Sequence, residues 1–233
     1  MHPLFSSLVL LLRLREGRGS IERVQLALIL LMQLAFLGAI GLSIYARDWL
    51  TLFVCIIGLG TVWMARLLAR NLNIYLPLEF ELILNVFIYA SLFLGEVRGF
   101  YTRFWWWDIV LHAGAGMALG LIGFLLLYSL YRSGRLRASP FLVCAFSFSF
   151  ALALGTIWEI FEFSMDALFA FNLQKGAANT MRDLIVDTVG ALLVSVFGYL
   201  YIRKVTTGMG VFHHFIQAYF VRNARRTTRT VRR

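Results

Sequence analysis

Six stretches of the chain are continuously apolar over the length of a membrane-crossing helix, which takes about 20 mostly apolar residues. They run roughly Val24–Tyr45, Leu50–Leu68, Leu78–Leu94, Trp107–Tyr131, Pro140–Phe163 and Leu184–Ile202. The runs are Leu-rich and unbroken, without the alternation of a barrel strand, and short polar connections separate them. The pattern predicts an all-α protein, a polytopic six-helix transmembrane bundle over residues 24–202. A cytoplasmic or interfacial segment, 1–23, precedes it, and a basic amphipathic cytoplasmic tail, 203–233, follows. No internal repeat or soluble domain stands out.

Composition agrees with this picture. Hydrophobic residues make up 60% of the chain and charged residues 15%, against about 25% charged in an ordinary soluble domain. Disordered, collagen-like, coiled-coil and disulfide-rich secreted classes are excluded. Charge orients the bundle. Lys and Arg gather on the cytoplasmic side of membrane proteins, and 17 of the 22 here fall in the two tails and the second and fourth connections. Both termini are therefore expected in the cytoplasm.

The same asymmetry accounts for most of the net charge of +10 and points to anionic membrane lipid as partner, not nucleic acid. Val211, Phe212, Phe215, Ile216, Tyr219 and Phe220 share one helical face, as in a helix lying in the membrane interface. His213 and His214 read as a polar edge of that helix before they read as a metal pair. Residues 4–12 are apolar, but their positive charges follow instead of preceding, the wrong order for a cleaved signal peptide. Cys55 and Cys144 fall at different expected depths, so two separate buried thiols are expected and not a disulfide.

The acids carry the chemistry. Of 12 Asp and Glu, Asp108, Glu159, Glu162, Asp166, Asp183 and Asp187 occupy only three places: the start of the fourth span, the end of the fifth and the start of the sixth. Alternating topology puts these three ends at one depth, on the extracytoplasmic side. Asp108 and His112 are spaced i, i+4; Glu159, Glu162 and Asp166 are i, i+3, i+7; Asp183 and Asp187 are i, i+4. Each set forms one stripe on a helix. Lipid is a poor neighbour for a carboxylate, costing about 2.5–3.5 kcal/mol at a helix centre, so the stripes should face the bundle interior and one another. Trp105, Trp106, Trp107 and Trp158 mark the interface at the same height.

So many carboxylates in a small space need a metal or protons to balance them. Oxygen-rich ligands with one His suit a divalent metal ion such as Mg, Mn or Ca, or a carboxylate-bridged transition-metal pair. The candidate ligands are His112, Glu159, Glu162, Asp166, Asp183 and Asp187. Asp108, His112 and Glu159 are the candidate catalytic groups, and Asp108, Tyr101 and Asn85 the supporting ones. Plainer readings exist for single members. Thr180 and Asp183 resemble a capping box at a helix start, Asp108 suits a helix N-terminus, and Asp166 fits a solvated loop. Glu79 and Glu81 after Pro77 read as helix-start acids, although Glu81 and Asn85 run inward as an i, i+4 pair; Gln25 and Gln33 raise the same thought. Gly114, Gly116 and Gly120 in the fourth span and Gly190 and Gly198 in the sixth let backbones come close.

The runs FLGEVRGFYTRFWWWDIVLHAGAG, FALALGTIWEIFEFSMD and NTMRDLIVDTVGALL resemble the YjdF-like family of bacterial inner-membrane proteins. The likeness covers Pro77 to Tyr201. It rests on Tyr101 before W-W-D-x-x-L-H, on Trp158, Glu159, Glu162 and Asp166 in W-E-I-x-E-x-x-x-D, and on Asp183, Asp187 and Gly190 in D-x-x-x-D-x-x-G. Arg182 stands where the pattern often has Trp. The resemblance implies a multi-pass protein of the bacterial inner membrane and no particular reaction.

Three functions compete. A metal-dependent membrane hydrolase would act on a lipid or lipid-linked substrate from the outer leaflet. An ion- or proton-coupled transporter would use the acids as part of a path. A non-catalytic binding or structural protein would use them to lock helices together, a costly arrangement without a cation. No Ser-His or Cys-His pair and no phosphate-binding Gly-rich loop is evident.

Overall fold

The computed structural model describes residues 19–71, 78–203 and 216. The apolar stretch 4–12 lies outside them, as do Pro77, His213, His214 and, apart from Ile216, the amphipathic stretch 211–226. Helices follow in the order α1 (Ser20–Ala46), α2 (Trp49–Asn71), α3 (Leu78–Ile88), a π-helical continuation of α3 (Tyr89–Val97), a short α4 (Phe100–Arg103), α5 (Trp107–Arg132), α6 (Pro140–Phe169) and α7 (Ala177–Ile202). The described residues contain no strand. Among the described residues, six helices are long and apolar enough to cross a membrane, with spans Ser20–Ala46, Trp49–Leu68, Leu78–Val97, Trp107–Arg132, Pro140–Phe169 and Ala177–Ile202. Their outward faces expose Leu31, Leu42, Phe141 and Ile185 among many other large apolar side chains, a surface suited to lipid and unsuited to water.

Local chemistry sets several helix ends. Ser139 caps α6, its side chain accepting a hydrogen bond from the Leu142 amide at 3.2 Å, and Pro140 fills the first turn. Asp48 accepts from the Thr51 amide at 3.1 Å as α2 begins. Hydrogen bonds from Thr51, side chain first and amide second, hold the Asp48 carboxyl below its ordinary value of 3.8.

Two ends differ from the expectation. α7 begins at Ala177 with Gly176 as N-cap and no side-chain cap, so Thr180 and Asp183 lie inside the helix and form no capping box. Arg182, which precedes the sixth apolar run, is helical as well. The first turns of α7 are polar and carry no apolar period; their side chains are tied to one another and to α5, and these tertiary bonds extend the helix. α6 likewise continues past Phe163 to Phe169, bringing Asp166 into the helix.

The chain forms two compact units, one through Phe100 and one over Tyr101–Ile216. In the first, α1 packs on α2 and α3 around Leu26, Ile29, Phe36, Val54 and Cys55. The Phe36 ring meets Tyr89 and Phe93 edge-on at 5.9 and 5.6 Å. A polar chain also links the three helices. Gln33 donates to Asn85 at 3.2 Å, Asn85 donates to the Glu81 carbonyl at 2.7 Å, and Arg66 pairs with Glu81. Glu81 is thus a buried ion-pair partner as well as a first-turn acid.

In the second unit α5, α6 and α7 each pack against the other two, around Phe124, Val143, Ala151, Ala191 and Val194. Cys55 and Cys144 are both free and buried, one in each unit. The α5–α7 approach is close enough to require glycine. A Cβ on Gly116 would stand 2.4 Å from the Asp187 carbonyl oxygen, and one on Gly190 would stand 2.7 Å from the Ala113 carbonyl oxygen. Gly116→Ala should therefore push α5 from α7 and cost about 1–3 kcal/mol in reversible unfolding of the detergent-solubilised protein. An unchanged stability would contradict the close approach.

Candidate functional site

The N-terminal turns of α5 and α7 and the C-terminal turns of α6 lie at the same end of the second unit and bring their acids together. Asp108, Glu159, Asp183 and Asp187 are all buried, with Asp183 only 1% exposed. His112 stands among them. Its Nε2 lies 3.6 Å from Asp108 Oδ1 and 3.9 Å from Glu159 Oε1, and its Nδ1 lies 3.4 Å from Asp187 Oδ1. One imidazole thus faces carboxylates from three helices.

Asn179 and Arg182, four residues and one residue before Asp183 on α7, bind oxygens of Asp108 and Asp183. Asn179 donates to Asp108 Oδ2 at 3.1 Å and to Asp183 Oδ2. Arg182 donates to the same Asp108 oxygen at 3.0 Å and to Asn179 Oδ1 at 2.6 Å, and its Nε lies 3.5 Å from Asp183 Oδ1. Several buried atoms of the cluster are left unsatisfied. His112 Nδ1, Glu159 Oε1, Asp183 Oδ1, Asp187 Oδ1 and Arg182 Nε are buried without a hydrogen bond. A buried polar atom in that condition costs about 1–3 kcal/mol, and such atoms call for a ligand or another explanation.

Charge points the same way. Four carboxylates face one guanidinium and one imidazole. With the imidazole neutral, as a metal ligand must be, three negative charges remain, and a divalent cation cancels two of them. One ligand atom each from Asp108, His112 and Asp183 can be chosen so that all three lie within 4.8 Å of one another. Two metal–ligand bonds of about 2.1 Å span up to about 4.2 Å, and the 3.6 Å between Nε2 and Asp108 Oδ1 lies within that reach. The residues present suit a hard divalent ion.

The other candidate residues have different surroundings. Glu162 accepts a hydrogen bond from Trp158 Nε1 at 3.0 Å. Asp166 accepts from the amides of Leu173 and Gln174 at 2.6 and 2.8 Å, clasping the α6–α7 connection. The Lys175 ammonium sits 3.8 Å above the Tyr101 ring, a cation–π contact. Asn85 bonds within the first unit, to Gln33 and Glu81.

Sequence reasoning missed Asn179 and Gly155. Asn179 precedes Asp183 by four residues, a signal that appears only once the helix is known to start early. Gly155 precedes Glu159 by four residues on the same face, and a Cβ there would lie 2.6 Å from Asp187 Oδ2.

Residues 26–204 match the family described as predicted membrane protein, DUF2238. The chain belongs to that family. A relative from Thermotoga maritima, described as an uncharacterized protein, is 26% identical over 125 residues, covering 53% of this chain and 64% of the relative. The alignment thus spans just under two thirds of the relative's length. No solved structure matches the chain. The DUF2238 match contains every member of the cluster.

The Asp166 clasp has a direct consequence. Asp166→Ala should release the two loop amides and speed tryptic cleavage after Lys175 at least about tenfold, since hydrogen bonds to a charged group contribute about 1.5–3 kcal/mol. An unchanged cleavage rate would show that the carboxylate does not hold the loop.

Proposed function

We propose that this DUF2238 protein is a divalent-metal-dependent hydrolase embedded in the bacterial inner membrane, acting on a lipid or lipid-linked substrate. The observation that carries the proposal is the group of buried, unpaired carboxylate oxygens converging on His112. Asp108, His112 and Asp183 would hold the cation. When bound, it supplies positive charge that polarises a substrate oxygen and acidifies water.

Glu159 then has the chemical role of proton acceptor. Its Oε1 is buried, unpaired and 3.9 Å from His112 Nε2, within reach of a water beside the cation. Asn179 and Arg182 hold Asp108 and Asp183 in register by their outer oxygens. Positive-inside orientation puts this end of the unit on the extracytoplasmic side, and the exposed Trp105 and Trp106 suit the height of lipid headgroups. The basic tail would lie on anionic lipid of the other leaflet. The YjdF-like resemblance bears on kinship and adds no reaction.

Transport is less well supported. Beyond the cluster, the described buried polar residues of the second unit are Ser147 and Ser195. Ser147 donates to the Gly120 carbonyl at 2.7 Å and accepts from Ser195 at 3.4 Å, which accounts for both within the helix packing.

Metal analysis of protein purified in detergent without chelator is the test. One divalent ion per chain is expected, lost in His112→Ala and Asp183→Asn. Glu159→Gln should keep the ion and lose hydrolysis of extracted membrane lipid by about 100-fold or more. A folded wild-type protein that takes up no divalent ion removes the proposal.

A further inference from the structure

Asp187 differs from the other three carboxylates. It faces Nδ1 of His112, whereas Asp108 and Glu159 face Nε2. It is 4% exposed. It also sits where three helices meet, with glycine on both neighbours. A Cβ on Gly155 of α6 would come within 2.6 Å of its Oδ2, and one on Gly116 of α5 within 2.4 Å of its backbone oxygen. Gly155 leaves the space beside the carboxylate, and Gly116 the space beside the backbone of the same residue.

We infer that Asp187 is a positioning residue, accepting a hydrogen bond from the Nδ1–H of His112 and thereby leaving Nε2 as the metal-binding nitrogen. The inference rests on the metal reading above and assigns Asp187 a part in it other than ligand. An imidazole with one nitrogen bound to a metal almost always donates its other N–H to a carboxylate, carbonyl or water, which fixes both tautomer and ring direction.

Here the two atoms already face each other at 3.4 Å, although neither has closed a hydrogen bond. Closing that bond leaves Nε2 on the side of Asp108 and Glu159. The Gly155 gap explains why the carboxylate can sit so close to α6. Asp183, by contrast, is tied through Oδ2 to Asn179, and its Oδ1 lies near Arg182.

Cobalt titration of the full-length protein in detergent separates the possibilities, read by visible absorption and by bound metal per chain. Wild type should bind one equivalent. Asp187→Asn should still bind one equivalent, with an affinity about 10–100-fold weaker and shifted ligand-field bands, while thermal unfolding of the metal-free protein stays the same. Loss of the equivalent itself would make Asp187 a ligand and overturn the inference. An unchanged affinity and spectrum would overturn it as well. Wild type that binds no cobalt, nor any other divalent ion, would instead sink the metal reading, and this inference with it.

A second measurement needs no variant. With 15N-labelled histidine and bound cadmium-113, the ring of His112 should show a protonated Nδ1 and a cadmium-coupled Nε2. Cadmium coupling at Nδ1 would reverse the assignment and refute the role given to Asp187.

Discussion

Charge burial governs the second unit. Four carboxylates are withdrawn from water around one imidazole, in a region where a lone ionised group is strongly disfavoured. One guanidinium and one amide satisfy the outer oxygens, and the inner ones stay unpaired. A hydrophobic bundle needs no such arrangement to pack, because apolar residues of similar volume would serve as well or better. The acids therefore make physical sense chiefly as a place for something positively charged.

The packing that assembles this place depends on small residues. Helices in lipid gain little from the hydrophobic effect between them and associate by close contact and polar bonds. Gly116 and Gly190 bring α5 and α7 together at the level of the cluster, and Gly155 makes room on α6 for the Asp187 carboxylate. Away from the cluster, the fit continues through Gly198 against Phe124 and through Ser147 bonded to the Gly120 carbonyl. The same glycines thus set the distance between the backbones that carry the acids.

The first unit uses polarity in another way. Gln33, Asn85, Glu81 and Arg66 form a chain of side-chain bonds across α1, α2 and α3, with most of its donors and acceptors matched. It contains one ion pair instead of an excess of one sign. That difference in charge balance is why the proposal of a cation applies to the second unit and not to this network.

Much of this protein was legible in its residues. Helix number and the depth of the acids follow from hydrophobic runs, because burial of about 20 apolar residues in a bilayer is a one-dimensional property. The stripes of Asp108 and His112, of Glu159, and of Asp183 and Asp187 follow from helical periodicity alone. The early start of α7 did not, since Asn179 and Arg182 are helical through bonds to Asp108 on another helix. Nor did the division of labour within the acids. Glu162 and Asp166 share the stripe of Glu159, yet one binds a tryptophan and the other clasps a loop. Spacing tells which side of a helix a residue occupies; which oxygen meets which nitrogen depends on how closely three backbones approach, and that is decided only when the helices pack.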